Sequence, residues 1–258
     1  MIGSIEKTRG LKMLATNEHM QIQRIQLKLM KAKEVDAQLK VFGANSHLYH
    51  LNEKASEKEI LAFEQQYGIA LPFEFRLFLK ALGNGGAGPD YGIYPLGERL
   101  DEFSFNDEFS SLSRPCILNP KMDEDVLVQL NHYFDSEDEV SEALFFEEEA
   151  ILWGGILPIG TSGCTGGHGL ILNGEYAGFV IHVNLIRDWP LFHFYLPFLD
   201  WYENWLDKVI SGELIRGGPM GNHAENMENE MQCPAISTES QVQKKHVQFK
   251  KRWFQFWK

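Results

Sequence analysis

The sequence predicts an α+β domain, and three observations carry that prediction. Helical apolar spacing dominates the first 85 residues, strand-like runs and a turn signal fill residues 156–184, and a strongly apolar helix follows. With 258 residues, 44% of them hydrophobic, the chain can bury one sizeable core.

Residues 11–41 read as a first helix. Ile22, Ile25, Leu29 and Met30 recur at helical spacing, with Lys28, Lys31 and Lys33 between them, and Gly43 and Asn45 stop it. Residues 1–40 hold eight Lys/Arg against four Asp/Glu. This basic arm is expected to pack on the domain as an amphipathic helix rather than to hold a partner. A second helix is announced by Ser56 and Glu59, the pair of a capping box, in which each side chain satisfies a free backbone donor of the other residue. Ile60, Phe63 and Tyr67 form its apolar stripe and Gly68 ends it. A third helix starts near Pro72, with Phe75, Phe78, Leu79 and Leu82 on one face.

That helix runs into Gly83-Asn84-Gly85-Gly86-Ala87-Gly88-Pro89, a run that implies positive φ or close approach of another segment. Tyr91 to Leu96 reads as a short strand. Residues 98–150 hold sixteen Asp/Glu against three Lys/Arg. They also hold Phe103, Phe105, Phe109, Leu127, Leu130, Phe134, Phe145 and Phe146, too many large apolar residues for a disordered tail. Folded structure with an acidic outer face is expected, helical in part between Asp123 and Glu149. Strands are expected at Ile156–Ile159, Gly169–Leu172 and Ala177–Val183, with Asn173-Gly174 as a hairpin turn. A last helix runs from about Leu196 to Ser211, burying Phe198, Trp201, Trp205, Leu206 and Val209, and Gly212 ends it. Beyond it lie a polar stretch and the run QKKHVQFKKRWFQFWK, with six Lys/Arg and no acid. The domain organisation that follows is a helical segment over 1–44, a central domain over 45–214, and a polar linker with a basic-aromatic tail over 215–258.

Composition narrows the function classes. The net charge of −12 repels phosphate backbones, which argues against nucleic-acid binding by the main domain and favours basic partners. Three cysteines, Cys116, Cys164 and Cys233, spell neither a disulfide framework nor a four-ligand zinc site, and reduced thiols in a cytoplasm are the simplest expectation. The start shows no secretory signal, and no apolar run approaches the ~20 residues needed to span a bilayer. The basic-aromatic tail has the residues of a membrane-surface segment, but an uncommitted terminus is the preferred reading.

The sequence offers no catalytic set. The Gly160–Gly169 loop lacks the lysine and following helix of a phosphate cradle. Cys164 and His168 lack a third orienting group. His168, His182 and His193 fit no familiar metal-ligand spacing, and carboxylate pairs such as Glu102 and Asp107 are not distinguished from their neighbours. No cofactor, metal or catalytic residue is expected.

Four stretches together carry a resemblance. They are EILAFEQQYGIALP (Glu59–Pro72), FLKALGNGG (Phe78–Gly86), LPIGTSGC (Leu157–Cys164) and FLDWYENWL (Phe198–Leu206). They resemble the SUKH superfamily, which includes a yeast regulator of cell-wall glucan synthesis and many bacterial immunity proteins. The resemblance spans roughly residues 45–214 and implies a mostly antiparallel sheet with helices against it. It also implies a non-enzymatic role: neutralising a cognate toxin, often a nuclease or deaminase, by direct binding. A regulatory or scaffolding protein is the alternative. A toxin with a basic surface would be met by the acidic segment and a few anchors. The candidate contact residues are Asn84, Asp90, Tyr91, Asp101, Glu102, Asp107, Glu108, Tyr133, Asp135, Asp138 and Glu139.

Overall fold

Apolar residues three or four apart give the first helix one face to bury, and that face decides its place. A computed structural model describes residues 2–103, 109–120, 150–163, 166–184 and 191–216. In it, helix α1 runs over Ile2–Val35, starting earlier and stopping sooner than its periodicity suggests. Ile22, Ile25 and Ala32 are buried in the main core. Gly43 stays in the left-handed region (φ 74°) and caps the single turn α2, Ala44–His47, rather than ending α1. Helix α3, Glu57–Tyr67, carries the expected capping box: the Ser56 hydroxyl accepts from the Glu59 N–H, and the Glu59 side chain accepts from the Ser56 N–H. Gly68 closes it at φ 63°. Helix α4, Phe73–Ala81, begins one residue after Pro72 and buries Phe75, Phe78 and Leu79.

The sheet is an antiparallel meander in the order β1-β2-β3-β4. Its strands are β1 (Ile156–Gly163), β2 (Gly166–Ile171), β3 (Phe179–Asn184) and β4 (Leu191–Pro197). Helices α5 (Phe198–Ile210) and α6 (Glu213–Arg216) follow. The architecture is α+β, a single domain with helices against an antiparallel sheet.

Alternation along the strands sends side chains to opposite faces. Leu157, Ile159, Leu170, Leu172 and Val180 join the core under the helices. Ile156, Ile171, Ile181 and Val183 pack instead with Phe103, Leu118, Leu152 and Trp153. Phe103 and Trp153 stack with ring centroids 5.4 Å apart. The two ends of the acidic segment therefore cover the second face of the sheet, as its aromatic content requires. The helix expected between Asp123 and Glu149 lies outside the described residues.

Three local expectations give way to different structure. Tyr91–Leu96 is not a strand: only Ile93 makes a bridge, to Gly86. Gly92 at φ 98° and Asp90 at φ 51° break the extended run, and Pro95 has no N–H to donate. The β2–β3 connection spans seven residues rather than a two-residue turn. Of its central pair only Gly174 takes positive φ. Asn173 uses its side chain instead, accepting from the Cys116 N–H at 2.7 Å and donating to the Arg114 carbonyl at 2.8 Å. Strand β4 is an addition, built from aromatic residues that the sequence marks only as core.

The basic α1 is neutralised internally. It lies against α5, where Arg24 and Lys28 both reach the Glu203 carboxylate at 2.9 Å and Lys28 reaches Asp207 at 2.6 Å. Burial works to raise the pKa of Glu203, but hydrogen bonds from Arg24, Lys28 and Gln21 outweigh it and hold the group below its ordinary value. At the other end, Leu214 and Ile215 of α6 pack on the core. A chain ending after Arg216 is therefore expected to keep a cooperative unfolding transition and its circular dichroism. Loss of either would place part of 217–258 in the core.

Candidate binding surface

The glycine run after α4 is a crossing point for three segments. A Cβ at Gly85 would lie 2.6 Å from the Ile93 carbonyl, and one at Gly86 would lie 2.5 Å from the His50 carbonyl. Opposite them, a Cβ at Gly160 of β1 would meet the Gly92 carbonyl at 2.6 Å. Glycine is thus required by backbone crowding, with no ligand needed to explain it. Asn84 serves the same packing. Its Oδ1 accepts from the Leu96 N–H at 2.8 Å, and its carbonyl accepts from Asn52 Nδ2 at 2.9 Å.

This crossing carries residues 90–94 along the outer edge of β1. Tyr94 donates its N–H to the Ile159 carbonyl at 2.8 Å, and Tyr91 donates more weakly to the Thr161 carbonyl at 3.4 Å. Of the candidate contact residues in this stretch, Asp90 and Tyr91 part company. Asp90 is 7% exposed, and its Oδ2 lies 2.9 Å from His168 Nε2. Its carboxylate therefore faces inward and cannot be offered to a partner directly. Tyr91 is 42% exposed. Its ring meets Phe42 edge-on at 5.2 Å and covers Gly163, where a Cβ would come within 3.2 Å of the ring. An exposed aromatic seated on neighbours is a suitable anchor, because little side-chain freedom is left to lose on binding.

The carboxylates Asp101 and Glu102 follow in the chain. Asp101 is exposed. Glu102 accepts from Arg99 and reaches the Tyr94 hydroxyl, which also bonds to Thr161. Burial first, then the nearby Glu102 charge, push the Tyr94 phenol up to about 12. The structure thus brings Tyr91, Tyr94 and Glu102 together at Thr161. Asp107, Glu108, Tyr133, Asp135, Asp138 and Glu139 lie outside the described residues, as does Cys164.

Behind this edge, β2, β3 and β4 place His168, His182 and His193 side by side in register. His182 Nε2 lies 3.2 Å from the Ser162 hydroxyl, and the His168 ring meets Trp201 edge-on at 5.1 Å. Sequence spacing cannot show this row, because each histidine comes from a different strand. Among the described residues no cluster of His, Cys, Asp and Glu has the arrangement of a metal site. Also among them, no helix is long and apolar enough to cross a membrane.

The SMI1/KNR4 family (SUKH-1) matches over residues 54–205, from the strand of chain before α3 to the middle of α5. The chain belongs to this family. The match includes the glycine crossing, Tyr91, the histidine row and the Trp201 helix. No curated protein and no solved structure matches the chain. SUKH proteins include toxin immunity and regulatory proteins; they bind partner proteins and are generally non-enzymatic.

Proposed function

We propose that this SUKH-1 chain is a bacterial, cytoplasmic immunity protein. It neutralises a cognate protein toxin, of the nuclease or deaminase class, by direct binding and without chemistry of its own. The observation that carries the reading is the exposed, pre-seated Tyr91 on the β1 edge, in a chain of net charge −12. A toxin that handles nucleic acid needs a basic surface. An acidic protein with an aromatic anchor can occupy that surface, with charge speeding the encounter and the anchor supplying the affinity. The acidic segment around Asp107, Glu108, Tyr133, Asp135, Asp138 and Glu139 extends the same complementarity in sequence.

The test is to co-express the chain with any toxin-like domain that a neighbouring gene is found to encode. Growth arrest by the toxin domain should be relieved by the wild-type chain. Tyr91→Ala should weaken the purified complex by about 30-fold or more, the effect of losing a ~2 kcal/mol anchor. Absence of any complex with the adjacent toxin domain, with growth unrelieved, would turn the reading toward a regulatory or scaffolding role.

A further inference from the structure

We infer that Asp90 and His168 form a buried strut that sets the position of Tyr91; both act through Tyr91, as positioning residues, and neither contacts the partner. The inference deepens the partner-binding reading of Tyr91, but its geometry stands without that reading.

Four observations converge. Asp90 adopts φ 51°, a left-handed conformation that a non-glycine residue keeps only when its surroundings hold it there. Its carbonyl is wedged against Gly43, where a Cβ would sit 1.9 Å away. Its carboxylate, itself buried, takes a 2.9 Å hydrogen bond from His168 Nε2, a residue 78 positions later in the sequence. His168 in turn is 3% exposed, with the Trp201 edge at 5.1 Å and the His182 ring at 5.3 Å. The turn that aims Tyr91 is therefore fixed to the central strand of the sheet and to α5 behind it.

The turn that holds Asp90 and Tyr91 is closed by the Gly92 N–H on the Pro89 carbonyl at 2.9 Å, but Tyr91 itself is tied only loosely to the sheet. Its N–H bond to Thr161 is long at 3.4 Å, whereas Tyr94, two residues past Gly92, has a bond of 2.8 Å to the same strand. The ring contacts with Phe42 and Gly163 act only once the backbone presents the ring to them. Losing the His168 bond removes the hold that ties the Asp90 side chain to the sheet, and a shift of Asp90 redirects the next side chain.

The variants separate conformation from strut. Asp90→Asn keeps a hydrogen-bond acceptor for His168 and tolerates positive φ. Asp90→Gly tolerates the same φ more readily but removes the acceptor. Each is made in the full chain carrying 3-fluorotyrosine, with the Tyr91 fluorine signal assigned through Tyr91→Phe. The readout is taken on the free protein, so it does not depend on whether the partner is a toxin. In Asp90→Gly the Tyr91 signal should narrow and shift toward the position of unfolded tyrosine, while the signals of buried Tyr49 and Tyr202 stay in place. In Asp90→Asn it should stay close to wild type. An unchanged Tyr91 signal in folded Asp90→Gly would overturn the inference, because φ alone would then set the ring. Equal mobilisation in Asp90→Asn would overturn it too. If Asp90→Gly does not fold, His168→Phe carries the test: it leaves Asp90 intact, keeps a ring and removes the donor, and an unmoved Tyr91 signal there would likewise refute the strut.

Discussion

Replacing Phe198 by alanine is expected to remove about 4 kcal/mol of folding stability, out of the ~5–15 kcal/mol typical of a domain. Phe198 opens α5, is fully buried, and sits where three elements meet. Phe75 and Phe78 of α4 approach it edge-on at 4.9 and 5.2 Å, and Tyr202 lies one turn along at 6.3 Å. Truncation removes the ring and leaves a void that these partners cannot fill, because each is held by further contacts. The Phe198 N–H is bonded to the Gly178 carbonyl at 3.0 Å, so α5 cannot shift inward to close the gap. In thermal unfolding the midpoint should fall by roughly 8–16 °C for a domain of this size. The control is Phe73→Ala, one turn of chain from the same cluster but 53% exposed, with an expected change within about 0.5 kcal/mol. Similar losses in both variants would mean that α4 and α5 do not meet in this way.

Acid is expected to weaken the fold through His47. Its ring is 8% exposed, accepts the Tyr49 N–H through Nδ1 at 3.0 Å, and meets Tyr49 and Trp205 edge-on. Burial lowers its pKa from 6.5 to about 4, although the Gly88 backbone and the Asp36 charge work the other way. In the unfolded chain the imidazole takes a proton near its ordinary value. The unfolded state thus binds more protons between pH 6.5 and 4, and stability falls with pH through that window. The full loss is about 3 kcal/mol, complete once the pH is below the folded value. His47→Asn keeps an acceptor for the Tyr49 N–H and cannot titrate there, so denaturant unfolding should become flatter across the window. Glu203 does not confuse the reading. Its depressed pKa means that its contribution is present above 4.5 and is lost only as pH falls further. A wild-type stability that stays level between pH 6.5 and 4.5 would contradict the buried, neutral state of His47.

The parts of the fold legible in the sequence are those whose cause is local. Ser56 with Glu59, and Gly68 after Tyr67, mark both ends of α3, because caps act over three or four residues. The α4 and α5 stripes are equally plain. Strand β4 is hidden because both of its faces carry rings: Phe192 and Phe194 on one, His193 and Tyr195 on the other, so no apolar-polar alternation appears. The Asn173-Gly174 signal is misleading for a different reason. The Asn173 side chain is engaged with Arg114 and Cys116, a contact some 57 residues away that no local rule includes.

The candidate surface shows the same division. Tyr91 is exposed, as its loop position among glycines and acids suggests. The inward turn of Asp90 depends on His168, and the separation of that pair along the chain makes it invisible to any window of sequence. An aspartate in an acidic, glycine-rich stretch resembles a surface residue until its partner is known. Asn84 is similar: glycine neighbours make it look like an exposed loop residue, while its side-chain oxygen holds Leu96 and its backbone carbonyl holds Asn52.

The clamp between α1 and α5 also has a consequence during synthesis. Arg24 and Glu203 are 179 positions apart. At ~5–20 residues per second a ribosome takes roughly 10–35 s to travel between them. For that time Ile22, Ile25 and Ala32 have no α5 to cover them. The first helix to emerge is thus among the last to find its seat, and its flanking lysines and arginine, neutralised only at the end, keep the waiting segment charged and less prone to aggregate.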